Sequence, residues 1–298
     1  MQPKIEILSV DLLDQHRPLV NDLRHLAQRL GLDFGWHYLL DLTWILSNLG
    51  QVRGKRIMDA GAGVGVMQWY LAEQGATVYS VDRGSRADLS PRFRGRYNVR
   101  GLRPDDLRPA SAVTLDLLRN GRIKEAGRGM LALASGALGG KAPGEVLVYN
   151  QNLKALADIP DGTLDAVVAV SALEHNPPAD LPIVVAEMMR TLKPGGVLLA
   201  TLGAARDEDW FHEASKGWNY TADSLRRLFS LPADTPDNYD QHDELFEKLK
   251  HNAELRDNLA GFYFKSGDNG MPWGKWEPQY QPVGVCAVHE SSPHAPSP

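Results

Sequence analysis

The stretch 56-RIMDAGAGVGVMQWYLAEQG-75 decides the fold. An apolar run ends on Asp59, glycines follow at 61, 63 and 65, and a helical pattern begins at Val66. Glycines at such a place allow a tight turn and let backbone N–H groups approach a ligand with no Cβ in the way. Strand, glycine loop and helix in this order open a parallel α/β sheet. The next strand, Thr77 to Val81, ends on Asp82, 17 residues beyond Gly65. A carboxylate there can accept hydrogen bonds from both hydroxyls of an adenosine ribose, so loop and acid together specify an adenosine-containing cofactor. The glycines are spaced G-x-G-x-G, with Val66 where a dinucleotide fingerprint needs its third glycine, which weakens a nicotinamide reading. Asp59 suits a cofactor with an amino-acid end, because a carboxylate holds an ammonium directly or through water.

Outward from this unit, short apolar runs alternate with helical patterns. Strands are expected at Arg56 to Met58, Thr77 to Val81, Val146 to Tyr149, Ala166 to Val170 and Val197 to Thr201. Leu19, Leu23, Leu26 and Leu30 recur at helical spacing, so the chain is expected to begin with amphipathic helices, and a second apolar helix covers Tyr38 to Leu49. A helix over Asp243 to Leu259 precedes two strand-like runs, GFYFK at 261–265 and PVGVCAV at 282–288, read as an antiparallel pair at the sheet edge. The tail SSPHAPSP, 291–298, is expected to be disordered. The expected organisation is a helical cap over 1–50 and a catalytic domain over 51–290, with an insertion at about 84–144 between the second and third strands.

Composition is that of a globular protein, with 43% hydrophobic and 23% charged residues in 298. No apolar run reaches the roughly 18 residues of a membrane span, and the charged N-terminal stretch lacks the apolar segment of a signal peptide, so a cytoplasmic location is expected. A single cysteine, Cys286, excludes a disulfide framework and reads as a buried apolar residue. The net charge of −5 gives no reason to expect non-specific nucleic-acid binding.

Four motifs in order, RIMDAGAGVG, YSVDR, IPDGTLDAVVAVSALEH and RTLKPGGVLLAT, resemble the class I S-adenosylmethionine-dependent methyltransferases, particularly the group called type 11. The resemblance implies an α/β, Rossmann-like sheet of seven strands with an antiparallel last pair, and S-adenosylmethionine as cofactor. It implies that Asp59, Gly61, Ala62 and Gly63, with Gly65, line the methionine end, that Asp82 holds the ribose, and that Arg83 lies beside the adenine. Where the family commonly has an Asp after the third strand, this chain has Asn152, followed by Leu153; an amide carbonyl can still accept from the adenine amino group.

Methyl transfer from a sulfonium is an in-line displacement, and a hydroxyl nucleophile must also lose its proton. Ser171, Glu174 and His175 leave the fourth strand at its carboxyl end, where ligands bind in open α/β sheets, with Ser171 assigned to the cofactor. His175 is the candidate base, with Glu174 beside it; the alternative is that both only shape the pocket. Some O-methyltransferases bind a metal here through E-x-x-E-H, but Ser171 replaces the first acid, and no metal is expected. Asn176-Pro177-Pro178-Ala179 reads as a loop before a helix, not as a base-gripping motif, because its fourth residue is not aromatic.

Arginines crowd the insertion, and Arg86 and Arg94 are taken as contacts to an anionic acceptor; a solvated surface or a subunit contact is the alternative. Trp36, His37 and Tyr38 are assigned to a lid over the acceptor. The expected activity is O-methylation of a small-molecule or glycan-type acceptor. An RNA methyltransferase and an inactive cofactor-binding scaffold stay open beside it.

Overall fold

A computed structural model describes residues 1–259, 271 and 275–290. The chain opens with β1 (Lys4–Ile7), then three helices, α1 (Leu12–Gln15), α2 (Arg17–Leu30) and α3 (Tyr38–Leu49). The first α/β unit is β2 (Arg56–Ala60), α4 (Val66–Glu73) and β3 (Thr77–Asp82). The insertion follows as α5 (Pro91–Arg96), β4 (Asn98–Gly101), α6 (Ala110–Arg119) and α7 (Ile123–Gly139). Then come β5 (Glu145–Asn150), β6 (Leu164–Val170), α8 (Leu181–Thr191) and β7 (Leu192–Ala204). A hairpin of β8 (Trp210–His212) and β9 (Gly217–Tyr220) leads to α9 (Ala222–Leu228), α10 (His242–Lys250), α11 (Ala253–Asp257) and β10 (Gln281–Val288).

The strands form one sheet in the order β1-β10-β7-β6-β2-β3-β5-β4, with the β8–β9 hairpin joined to β7 through β9. From β4 to β7 the strands run parallel; β10 is antiparallel to both β7 and β1. Central strands are buried on both faces, which is why they read as continuous apolar runs. In β2, Ile57 belongs to the core under the N-terminal helices and Met58 to the core on the opposite face. The chain steps outward from β2 through β3 to β5, then returns to the other side of β2 as β6. That reversal opens a crevice at the carboxyl ends of β2 and β6.

The α/β reading with a mostly parallel sheet holds, but the described residues contain ten strands rather than seven. β1 corrects the expectation of a purely helical start: Ile5 and Ile7 alternate into the core while Lys4 and Glu6 point outward, a period of two in a run too short to stand out. It is β1 that covers the outer side of β10; GFYFK and the tail 291–298 lie outside the described residues. The insertion supplies β4, which extends the parallel sheet beyond β5. The single helix expected over Asp243 to Leu259 is two, because Asn252 interrupts it and its Oδ1 accepts from Leu255 N–H at 2.8 Å, an N-cap.

Candidate functional site

The glycine loop sits at the crevice, pinned from both sides. Gly61 and Ala62 donate their N–H groups to Val81 O, at 2.9 and 3.0 Å. Gly63 N–H donates to Asp82 Oδ2 at 2.9 Å and Gly84 N–H to Asp82 Oδ1 at 2.7 Å, so the Asp82 carboxylate is fixed at the mouth. Gly61 has φ +74°, and a Cβ there would stand 2.4 Å from the Ala172 Cβ. Only glycine therefore keeps this passage open.

Beneath the loop lies a buried polar chain. Gln68 Nε2 donates to the carbonyls of Ala62, Gly63 and Gly65 at 3.2–3.4 Å, and Ser80 Oγ donates to Gln68 Oε1 at 2.6 Å. Arg86, only 8% exposed, completes it: its guanidinium donates to Ser80 Oγ, to Ser80 O at 2.6 Å, to Tyr149 O at 3.2 Å and to Gly63 O at 3.3 Å. Asp59 is buried nearby with Oδ2 lacking a partner among the described residues. Burial pushes its carboxyl up to about 7, against the opposing pull of the Arg86 charge.

Two cavities flank this loop. One of 400 Å³ is lined by Asp59, the 61–65 loop, Phe34 and Tyr38; another of 350 Å³ is lined by Asp82, Arg83, Asn152 and Leu153. Tyr38, Gly61 and Ser171 belong to both walls. The residues fit an adenosine cofactor with an amino-acid end: a buried carboxylate with one oxygen unpartnered among the described residues at one end, a glycine cradle between, and a fixed carboxylate at the other. Asn152, in the wall of the second cavity, accepts from Lys154 N–H on its Oδ1 at 3.0 Å.

A third chamber of 60 Å³ is lined by Trp36, His37, Glu174, His175, Trp218 and Tyr280, and Tyr38 and Ser171 wall it too. Inside it the N-terminal helices contribute a feature the sequence reading missed. His37 Nδ1 lies 2.7 Å from Asp41 Oδ2, four residues on at the start of α3. Asp41 is fully buried, and the same oxygen accepts from Ser171 Oγ at 3.1 Å. Nδ1 of His37 thus sits on the Asp41 carboxyl, and Nε2 has the Tyr280 hydroxyl at 3.4 Å. Ser171 is held at φ 42°, uncommon for a residue with a side chain, by Asp41 and by its N–H to Thr201 Oγ1 at 3.1 Å.

His175 is exposed and stands between the third chamber and the Asp82 cavity, its Nδ1 2.9 Å from the carbonyl of Lys216. Burial pushes the neighbouring Glu174 carboxyl up, with the charges of His175 and His37 acting against it. Trp36 is a buried wall rather than an open lid, with edge contacts to His37, Trp276 and Tyr280 at centroid distances of 4.6, 5.9 and 5.3 Å.

The arginines are corrected by the structure. Arg86 turns under the glycine loop, and Arg94 is buried with its guanidinium on the carbonyls of Arg108 and Ala87, so neither faces an acceptor. Arg103 and Arg108 are held by Asp106 and by Asp88 and Asp116. Burial pushes the Cys286 thiol up to about 11, consistent with an inert core residue. Pro177 O accepts from Asp180 N–H at 2.8 Å just before α8, as a loop entering a helix. Among the described residues no group of three or more His, Cys, Asp or Glu could hold a metal, and no helix is long and apolar enough to cross a membrane.

Comparison with known proteins gives a family-model match to a methyltransferase domain over residues 36–233. A probable methyltransferase of Aspergillus luteorubrus, ltbC, is 34% identical over 73 residues, which span 24% of this chain and 26% of that protein. Among solved structures, the 1,6-didemethyltoxoflavin-N1-methyltransferase of Burkholderia thailandensis aligns at TM-score 0.47 and 13% identity, covering 94% of this chain and 88% of that one. The magnesium protoporphyrin IX methyltransferase of Synechocystis PCC 6803 aligns at 0.40 and 15%, covering 86% and 80%.

Proposed function

Since this chain belongs to the class I S-adenosylmethionine-dependent methyltransferases, we propose that it methylates a hydroxyl of an uncharged small molecule, with His37 as the base. The observation that carries this reading is the His37–Asp41 pair in a chamber that shares Tyr38 and Ser171 with both cofactor cavities. When bound, the cofactor supplies an electrophilic methyl group. Asp59 holds its ammonium, the 61–65 loop cradles its middle, and Asp82 holds the ribose hydroxyls. His37 Nε2 takes the acceptor proton while Nδ1–H stays on Asp41, whose charge stabilises the resulting imidazolium. Trp36, Trp218 and Tyr280 keep water from the reacting oxygen.

An uncharged acceptor follows from the walls. Among the described residues no Lys or Arg side chain lines the 60 Å³ chamber, which holds Glu174 and lies against the buried Asp41. That volume is room for about four ordered waters, enough for the reacting end of an acceptor.

The test uses labelled methyl transfer against a panel of phenols, alcohols and sugars, with cofactor binding followed separately by calorimetry. His37→Asn is expected to lower kcat by about 10²- to 10⁴-fold at unchanged cofactor affinity. Turnover that survives His37→Asn but is lost in His175→Ala would move the base to His175, the candidate at the carboxyl end of the fourth parallel strand.

A further inference from the structure

We propose that the outer face of α6 and α7 docks on an anionic phospholipid surface. The first observation is an apolar stripe with nothing packed over it among the described residues. Ile123, Leu131 and Leu138 are 68%, 70% and 91% exposed, and Met130 is exposed beside them. At 100° per residue these four positions of α7 fall within an arc of about 100°. Leu115 and Leu118, one turn apart on α6, are exposed as well. Such a concentration of large exposed apolar side chains marks a contact surface, not ordinary solvent exposure.

The other face of α7 explains why the stripe cannot turn inward. It packs on α5 so closely that a Cβ on Gly136 would stand 1.8 Å from Gly95 O, and one on Gly129 would stand 3.0 Å from Pro91 Cβ. The helix is thereby fixed in rotation by its small residues, with its large ones outward.

Charge supplies the second observation. Arg119, Arg122, Lys124, Arg128 and Lys141 are all exposed around the stripe. From Ala110 to Lys141, which spans the two helices, there are five Lys and Arg against two Asp and Glu, in a chain whose net charge is −5. A cleft of 510 Å³ borders α7 on its Arg128 side, lined also by Arg29, Arg92 and Arg96. One carboxylate, Glu73, serves both Arg29 and Arg96, and Arg92 lies over the Phe93 ring. Around the stripe Glu125 serves Arg122 and Asp116 serves Arg119, so the cations there outnumber the carboxylates, and phosphate is the preferred partner of a guanidinium.

An apolar stripe rimmed with cations is the pattern of an interfacial helix on anionic lipid: the apolar side chains enter the acyl boundary and the cations meet headgroup phosphates. A second copy meeting this face about a twofold axis would place the cations against one another. A nucleic acid would use the cations and leave the stripe in water.

The test is co-sedimentation of the full chain with phosphatidylcholine vesicles, with and without about one third phosphatidylserine. Binding to the anionic vesicles alone is expected, weakening with salt. Lys124→Gln should lower it about fivefold, and Leu131→Glu with Leu138→Glu at least tenfold, while cofactor affinity and circular dichroism stay as in the parent. The proposal is overturned by absent binding, by equal binding to neutral vesicles, or by indifference to the leucine changes. A concentration-dependent dimer that Leu131→Glu dissociates, without vesicle binding, would make the face an interface between copies.

Discussion

Replacing Arg86 by Met separates two accounts of this residue. Its guanidinium makes four hydrogen bonds, to Ser80 Oγ, Ser80 O, Tyr149 O and Gly63 O, in a site 8% exposed. Methionine fills much of the volume but donates nothing, so several buried acceptors lose their partner, each at about 1–3 kcal/mol. Removing one partner of a buried charged network costs about 3–5 kcal/mol in all. For a protein of this size 1 kcal/mol moves Tm by about 2–4 °C, so the expected fall is on the order of 10 °C. The loop should also loosen, because Gly63 O and the Asp59 charge lose the same neighbour. Thermal unfolding followed by circular dichroism measures the first effect, calorimetry with S-adenosylmethionine the second. Arg83→Met, at an exposed position two residues after Val81, serves as the control and should leave Tm alone. Should Arg86→Met keep its Tm within about 2 °C and its cofactor affinity while KM for an acceptor rises, Arg86 reaches substrate and the inward placement is wrong.

Cofactor affinity should depend on pH through Asp59. Its carboxyl rises from an ordinary 3.8 to about 7 on burial, so between those values the folded protein holds a proton the unfolded chain has released. Stability without cofactor therefore falls as pH rises across that window. The ammonium needs the carboxylate, so affinity should strengthen by up to about tenfold per pH unit below 7 and then level, with a proton released to buffer; Asp59→Asn should flatten the profile, and a flat parent profile would remove Asp59 from the site. Gly61→Ala forces a Cβ into Ala172 at positive φ, a strain of about 1–3 kcal/mol, and should weaken the cofactor at least tenfold with the fold intact; unchanged affinity would mean that the passage is wider than described.

The parallel strands were legible because burial on both faces leaves an uninterrupted apolar run, as in Ala166 to Val170. Strands β1, β4, β8 and β9 have three or four residues each, too few to establish a period. Asp41 carried a signal that went unread: a carboxylate inside the apolar run YLLDLTWILSNL, four residues after His37, has to find a partner once buried. The arginines carried none. Sequence shows that Arg86 is charged, but whether its fork meets solvent, a ligand or a ring of carbonyls depends on what the β3 and β5 ends present to it. Glycine spacing spoke clearly because backbone conformation is a local property; side-chain direction is not.

The pairing of β1 with β10 sets Lys4 opposite Cys286, so two segments separated by nearly the whole chain complete the sheet. On the ribosome, β1 is made early and waits without its neighbour while everything between is translated. Until 281–288 emerge, Ile5 and Ile7 have no strand to lie against and β7 keeps an open edge on the side where β10 will lie. Contacts so distant in sequence close slowly. An open strand edge invites pairing with other chains. A nascent chain stalled before residue 281 should therefore aggregate or engage chaperones even though the cofactor cavities are already encoded in full.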